Sequence, residues 1–153
     1  MSVIGQILRP YIEGNAVRLN ALKDVQEIVT TFVDSMNSFY INKQVRFDLR
    51  DGVKIYTRDR KRINPRMLSS GEKELLLLFC NVLVAKKTET VFIIDEPELS
   101  LNVTWQRMLI NALLRLVGTS KVQFLLATHS IELLSLYMDC VMRLSVNGEQ
   151  SNV

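Results

Sequence analysis

The stretch TVFIIDEPELSL, from Thr90 to Leu101, joins a run of apolar residues to three carboxylates that follow it directly. Val, Ile and Phe are enriched in β-strands, and a run that is apolar at consecutive positions is typical of a strand buried on both faces. The pattern therefore predicts a buried strand that carries Asp95 and Glu96 at its carboxyl end.

Helical and strand patterns alternate along the chain around this strand. Such an α/β alternation is typical of a mostly parallel sheet with helices on both faces. Ligands of open parallel sheets bind beyond the carboxyl ends of the strands, so we expect functional residues there. The predicted elements are a helix over about 70–86, a strand at 90–95, a helix over about 103–117, a strand at 122–128, a helix over about 130–138 and a strand at 140–146.

Two strand ends carry candidate catalytic groups. Asp95 is placed to hold Mg²⁺, and the adjacent Glu96 is placed to orient or deprotonate a water molecule. The alternative is a strand end capped by solvated acids, with Glu96 and Glu98 favouring the next helix through its dipole. His129, the only histidine, follows the other apolar strand and could bond a phosphate and an attacking water; the alternative is a structural histidine.

The stretch LSSGEK, from Leu68 to Lys73, is a polar entrance to an apolar helix. Ser69 with Glu72 three residues later predicts a capping box, which could explain the entrance by itself. Gly71 in the first turn weakens a helix unless the backbone must approach something closely. Exposed amides at a helix start, beside the hydroxyls of Ser69 and Ser70, also favour an anion, so phosphate binding is the functional interpretation.

The order of LSSGEK, VFIIDEPELSL and ATHS resembles the C-terminal half of an ABC-type ATPase head, as in the SMC, RecF-like and OLD-like AAA ATPases. The resemblance implies a P-loop NTPase fold that uses ATP and Mg²⁺. It implies a magnesium-binding Walker B residue at Asp95 and catalytic residues at Glu96 and His129. The nucleotide-binding residues that it implies are Ser69, Ser70, Gly71 and Glu72 of the signature motif, and Ser100 and Asn102 of the D-loop.

The same resemblance implies that the signature faces the nucleotide of a second head, so that the working unit is a head-to-head homodimer with ATP at the interface. SSGEK and EPELSL are more similar to bacterial defence ATPases than to transporter subunits. Asn102 departs from the Asp or His that is usual in the D-loop, so we expect communication between the two sites to differ from that of the family.

Apolar residues recur at three- and four-residue steps between Asn15 and Tyr40 and predict one long amphipathic helix. It resembles the stem of a helical or coiled-coil insertion. A β-hairpin around Asp51-Gly52 and a loop at RINPRML follow. We expect three segments: a helical segment at 1–42, a basic hairpin and loop at 43–67, and the ATPase C-terminal lobe at 68–153.

The charge of +3 is uneven, because Lys43–Arg66 carries nine Lys or Arg and three Asp. This segment could contact nucleic acid or could simply be a solvated hairpin. Cys80 and Cys140 lack metal-site spacing and are predicted to be buried free thiols. No apolar run is long enough for a membrane span, so we expect a cytoplasmic protein without a membrane partner.

No GxxxxGK[ST] motif occurs, although this loop cradles nucleotide phosphates. We therefore expect the chain alone to be inactive. Either a P-loop-containing lobe is supplied by residues outside this sequence, or the chain is a truncated relative that retains only the fold.

The favoured function is the C-terminal part of an ATPase that binds and hydrolyses ATP to control a nucleic-acid process, in anti-phage defence or DNA repair. The alternative is a non-catalytic nucleic-acid or protein interaction module. A transporter subunit would need a membrane partner. A separate effector nuclease would act from another region or polypeptide, because no nuclease motif is present.

Overall fold

The computed structural model describes residues 3–86 and 88–144, with side chains from residue 13 onward except that of residue 21. Helix α1 spans Val3–Phe39, so it extends beyond the predicted start at Asn15. Its last turns are buried, with Phe32, Met36 and Phe39 at most 3% exposed. Its earlier turns carry apolar side chains that are more than half exposed: Val17, Leu19, Leu22 and Val25.

Strands β1 (Lys43–Asp48) and β2 (Gly52–Thr57) form the predicted antiparallel hairpin. Asp48 pairs with Gly52, so the loop has three residues, and Gly52 takes the left-handed conformation at φ 71° that such loops require. The loop predicted at RINPRML is partly wrong. Arg62–Ile63 forms a short strand, β3, because the free edge of β2 offers unpaired backbone groups.

The remaining chain follows the predicted alternation of helices and strands. Helix α2 (Ser70–Ala85), strand β4 (Thr90–Asp95), helix α3 (Val103–Val117) and strand β5 (Val122–Ala127) lie close to their predicted bounds. Strands β4 and β5 pair in parallel, with Asp95 opposite Ala127. The predicted α/β fold with a parallel sheet is confirmed.

The core lies between α1, α2 and α3. Leu75, Phe79, Leu109 and Leu113 are at most 1% exposed. The Phe39 ring meets Phe79 edge to face, with ring centroids 5.7 Å apart, a geometry that aromatic pairs prefer. The end of the long helix is therefore part of the same core as α2 and α3.

Among the described residues, elements cover only one face of the parallel sheet. Phe92, Ile94 and Phe124 pack against the core, whereas Val91 and Leu125 on the other face are more than half exposed. The prediction of helices on both faces is wrong for the residues that the structure describes. Both faces of the sheet carry apolar side chains, but no described element packs on the face that includes Val91 and Leu125.

The end of the chain differs from the prediction. Helix α4 is shorter than expected, at Ile131–Leu136, and a 3₁₀ helix follows at Met138–Cys140. Residues 141–144 are not a strand, since no neighbouring strand pairs with them among the described residues. The predicted strand also includes 145–146, which lie outside the described residues.

Both cysteines are free, as expected, but they are exposed rather than buried. Cys80 directly follows the buried Phe79 in α2, and successive helical residues point in directions about 100° apart. Among the described residues, no helix has the length and apolar character needed to cross a bilayer.

Candidate functional site

The candidate catalytic residues come together at one edge of the sheet. Because β4 and β5 are parallel and end in register, Asp95 and Glu96 leave the sheet beside the segment that contains His129. The Glu96 N–H donates to the Ala127 carbonyl at 2.8 Å and ties the two strand ends together. Asp95 and His129 are exposed and Glu96 is half-buried, so all three side chains are open to a ligand.

The backbone after β4 turns sharply. Glu96 and Ser100 have φ angles of 44° and 62°, a region that residues with a side chain rarely adopt. The N–H of Leu99 donates to the Glu96 carbonyl at 3.0 Å and closes the turn. Such conformations cluster at active sites, where the surrounding structure holds them in place.

Asn102 has a structural task at the start of α3. Its side chain accepts a hydrogen bond from the Trp105 N–H at 2.9 Å, which makes it the N-cap of the helix. Asn and Asp cap helices about equally well, so Asn in place of the usual Asp leaves the helix start intact.

The predicted capping box at the start of α2 is confirmed. The Glu72 N–H donates to Ser69 Oγ at 3.3 Å, and the Ser69 N–H donates to the Glu72 carboxylate at 2.7 Å. Ser70 is exposed in the same first turn, whose backbone donors have no acceptor one turn back in the helix. Capping is therefore present, and beside it Ser70 remains accessible while Gly71 and Glu72 are buried.

Gly71 makes the close backbone approach that the sequence indicates, and its partner is protein. A Cβ on Gly71 would lie 2.4 Å from the Ser100 carbonyl oxygen and 3.4 Å from the Trp105 ring. The glycine thus lets the predicted signature pack directly on the predicted D-loop.

Glu72 has two partners that sequence analysis missed. Lys43 Nζ lies 2.8 and 2.7 Å from the two Glu72 carboxylate oxygens, and the Tyr40 hydroxyl donates to the Glu72 carbonyl at 2.8 Å. Burial raises the pKa of the Glu72 carboxyl, but hydrogen bonds from Lys43 and Ser69 lower it by more, so the net pKa is below its ordinary value. Burial and the nearby Glu72 charge raise the pKa of Tyr40.

Glu98 forms a second polar link, also missed from the sequence. Its Oε1 accepts the N–H groups of His129 at 2.9 Å and Ser130 at 3.0 Å. The Ser130 hydroxyl donates to Gln106 Oε1 at 2.7 Å, and Gln106 Nε2 donates to the Leu101 carbonyl at 3.0 Å. This link connects the segments that follow β4 and β5.

Asp95 could bind a magnesium ion as a single protein ligand, because the described residues do not form a cage of several ligands around it. The described residues contain no group of three His, Cys, Asp or Glu side chains that could hold a metal. Mg²⁺ commonly uses one or two carboxylates and completes its shell with waters and substrate phosphates. A single exposed carboxylate at a strand end fits that mode.

The chain is similar to known ATPases. A family model described as "AAA domain, putative AbiEii toxin, Type IV TA system" matches residues 9–135. The DNA double-strand break repair Rad50 ATPase of Sulfurisphaera tokodaii is 28% identical over 156 residues, which span 95% of this chain but only 17% of that protein. The SMC head domain from Thermotoga maritima matches with a TM-score of 0.49 and 20% identity, over 72% of this chain and 40% of that one.

Replacing Gly71 by Ala is expected to destabilise the protein by about 1–3 kcal/mol, because the new methyl group would overlap the Ser100 backbone. Gly14→Ala is the matched control, since a Cβ at Gly14 in α1 meets nothing within 4 Å. There the substitution should stabilise by about 0.5–1 kcal/mol through helix propensity. Urea unfolding measures both changes, and equal effects would contradict the close approach.

Glu72→Gln is expected to lower the free energy of unfolding at pH 7 by about 1.5–3 kcal/mol, through the lost bonds to the charged Lys43. A carboxyl whose folded pKa is depressed stabilises above its unfolded pKa, and that contribution disappears as pH falls through the folded pKa. The difference between wild type and variant should therefore shrink below about pH 4.3. Urea unfolding between pH 7 and pH 3 checks this, with exposed Glu74→Gln as the control.

Proposed function

This chain belongs to the family described as "AAA domain, putative AbiEii toxin, Type IV TA system", and from that membership we propose that it forms the C-terminal lobe of an ABC-type ATPase head. One observation carries the proposal: two parallel strands end in register and bring Asp95, Glu96 and His129 to one edge of the sheet. Phosphoryl transfer depends on groups placed in this way around a nucleotide.

Each residue at this edge has a proposed role. Asp95 would hold Mg²⁺, which neutralises phosphate charge when bound. Glu96 would orient the attacking water and accept its proton, and His129 would bond the terminal phosphate. These roles are supported by the accessibility of the three side chains.

The start of α2 and the turn before α3 would contact nucleotide across a dimer. Ser69, Ser70 and Gly71 would contribute hydroxyl and backbone N–H groups, while Ser100 and Asn102 would form the adjoining D-loop. The Glu72 carboxylate is already bonded to Lys43 and Ser69. Its proposed contribution is therefore to hold the signature in shape for the nucleotide of a second, identical head.

A P-loop-containing lobe is the proposed partner within the same head. The uncovered face of β4 and β5 supports it, since Val91, Ile93 and Leu125 form an apolar surface of the kind that a further layer of structure buries. The chain also spans only 17% of the Rad50 relative, which leaves room for such a lobe in a longer protein.

We also propose how the two segments that precede the ATPase lobe are organised. The division at 1–42, 43–67 and 68–153 makes α1 the stem of a helical insertion. The exposed apolar side chains of α1, including Val17, Leu22 and Val25, support a second helix alongside it.

The process that the head controls is proposed to involve nucleic acid, in DNA repair or anti-phage defence. The relative from Sulfurisphaera tokodaii is named as a DNA double-strand break repair ATPase, and the match covers nearly the whole of this chain. A separate nuclease would act as the effector, and a cytoplasmic location fits this role.

Glu96→Gln in the complete head is expected to lower ATP turnover by about 10²-fold or more while ATP binding is retained, because Gln keeps the shape of the side chain but cannot accept a proton. Steady-state hydrolysis and equilibrium binding of labelled ATP measure the two properties. Glu74→Gln, an exposed change in α2, should leave both unaltered. Full turnover by the Glu96 variant would contradict the catalytic assignment.

A second candidate is a non-catalytic module that holds nucleic acid through the basic segment. It is favoured by Arg58, Arg60 and Arg62, which are exposed around one tight turn and form no ion pair within the described residues. Three such side chains can approach successive phosphates.

Reversing the charge at Arg58, Arg60 and Arg62 together is expected to weaken nucleic-acid binding and to reduce its salt dependence by about 0.9 per lost phosphate contact on duplex DNA. Fluorescence anisotropy over a range of salt concentrations measures both quantities. Charge reversal at the exposed Arg18, Lys23 and Arg115 is the control, because it changes the net charge by the same amount on other parts of the surface. Equal behaviour of the two triple variants would exclude this surface as the contact.

A further inference from the structure

We infer that Glu98 is a positioning residue for His129: its carboxylate holds the backbone of His129 and Ser130 and so fixes where the imidazole stands at the sheet edge. The inference deepens the proposed ATPase function and rests on it. It concerns a residue that lies outside the predicted catalytic set.

The geometry of the contact between Glu98 and the backbone of His129 and Ser130, here called the clamp, supports this role. One oxygen of Glu98 receives two consecutive N–H groups, from His129 at 2.9 Å and Ser130 at 3.0 Å. These groups belong to the short segment between the end of β5 and the start of α4 at Ile131. The segment has left the strand ladder and has not yet entered the helix, so its N–H groups need acceptors outside both elements. Glu98 accepts the His129 N–H and shares the Ser130 N–H with Thr128 Oγ1, which lies 3.0 Å from it.

His129 depends on its backbone for its position. The imidazole has no hydrogen-bond partner within the part of the chain that the structure describes, and the side chain is exposed. The position of its Cα and Cβ sets the region that the ring can reach through its χ1 and χ2 rotamers. The hydrogen bonds that Glu98 accepts from the His129 and Ser130 N–H groups restrain that backbone position.

The carboxylate is suited to this task because it stays ionised. Burial raises the pKa of the Glu98 carboxyl, but hydrogen bonds from Thr128, His129 and Ser130 lower it by more, so the net pKa is below the ordinary value. Bonds from N–H groups to an ionised carboxylate are about twice as strong as those to a neutral acceptor.

The alternative role for Glu98, as an acid that favours the dipole of α3, does not fit its place. Asn102 is the N-cap of α3, so Glu98 lies four residues before the helix boundary. The dipole effect falls off within the first turn. The segment from Glu96 to Ser100 instead turns Glu98 back towards β5, and its carbonyl accepts the Leu101 N–H at 3.0 Å.

Two further hydrogen bonds complete a closed ring of polar contacts that includes Glu98 and Ser130. Ser130 Oγ donates to Gln106, and Gln106 donates to the carbonyl of Leu101, which directly follows Ser100. A shift of the predicted D-loop would therefore change the position of the His129 backbone, both through Glu98 and through the bonds of Gln106.

The test compares Glu98→Ala, Glu98→Gln and Glu98→Asp in the complete head. Gln keeps an oxygen acceptor at the same distance from the backbone, and Asp keeps the charge but is one methylene too short to reach both N–H groups. The first readout is hydrogen exchange of the His129 and Ser130 amides, and the second is ATP hydrolysis resolved into kcat and KM.

We expect Glu98→Ala and Glu98→Asp to speed exchange at the His129 amide by about tenfold or more, with a smaller effect at Ser130, whose N–H also donates to Thr128 Oγ1. The same variants should lower kcat by about tenfold with little change in KM. Glu98→Gln should restore part of both properties, because its amide oxygen still reaches the two N–H groups but lacks the charge that strengthens the bonds. If the Ala variant does not fold, the contrast between Gln and Asp still decides, since a charge effect would rank them in the opposite order.

Unchanged exchange at His129 and Ser130 in the Ala and Asp variants would overturn the clamp. Faster exchange with normal kcat would overturn the link to turnover, while an inactive Glu96→Gln variant in the same preparation would leave the proposed ATPase function standing. Full activity of Glu96→Gln would reject the ATPase mechanism itself, and the positioning role with it.

Discussion

The packing of the long helix, the hairpin and α2 depends on the hydrogen bonds that the Glu72 carboxylate accepts from Lys43 and Ser69. A carboxylate that is 11% exposed must be matched by donors, because an unpaired charge in a largely buried place is costly. Lys43 and Ser69 supply them, and the Tyr40 hydroxyl adds a bond to the Glu72 carbonyl. The end of α1, the first residue of the hairpin and the start of α2 are thereby joined at one point.

That junction connects the long helix to the candidate site. Gly71, the neighbour of Glu72, contacts the backbone of Ser100, which lies in the strained turn after β4. The same turn leads back through Glu98 to His129. A continuous set of packed and hydrogen-bonded groups therefore runs from Tyr40 to the sheet edge.

The local features of this chain are predictable from its sequence, whereas the surroundings of several elements are not. The hairpin, the capping box at Ser69 and the parallel pairing of β4 with β5 are confirmed, since each follows from spacing within one element or from chain order. The resemblance to an ATPase head is confirmed by the family match. Most errors concern what lies next to an element: the second face of the sheet, the edge of β2 that pairs with β3, the missing partner of the last predicted strand, and the exposure of both cysteines.

The sequence by itself determined that Asp95, Glu96 and His129 would share an edge, because parallel strands place their carboxyl ends on the same side of a sheet. Only the tertiary structure decided that Lys43 neutralises Glu72, that Gly71 admits Ser100 and that Glu98 holds the backbone at His129. These pairs are about thirty residues apart in the chain. No helical or strand period connects such positions, so their contacts arise only when the packed core brings the elements together.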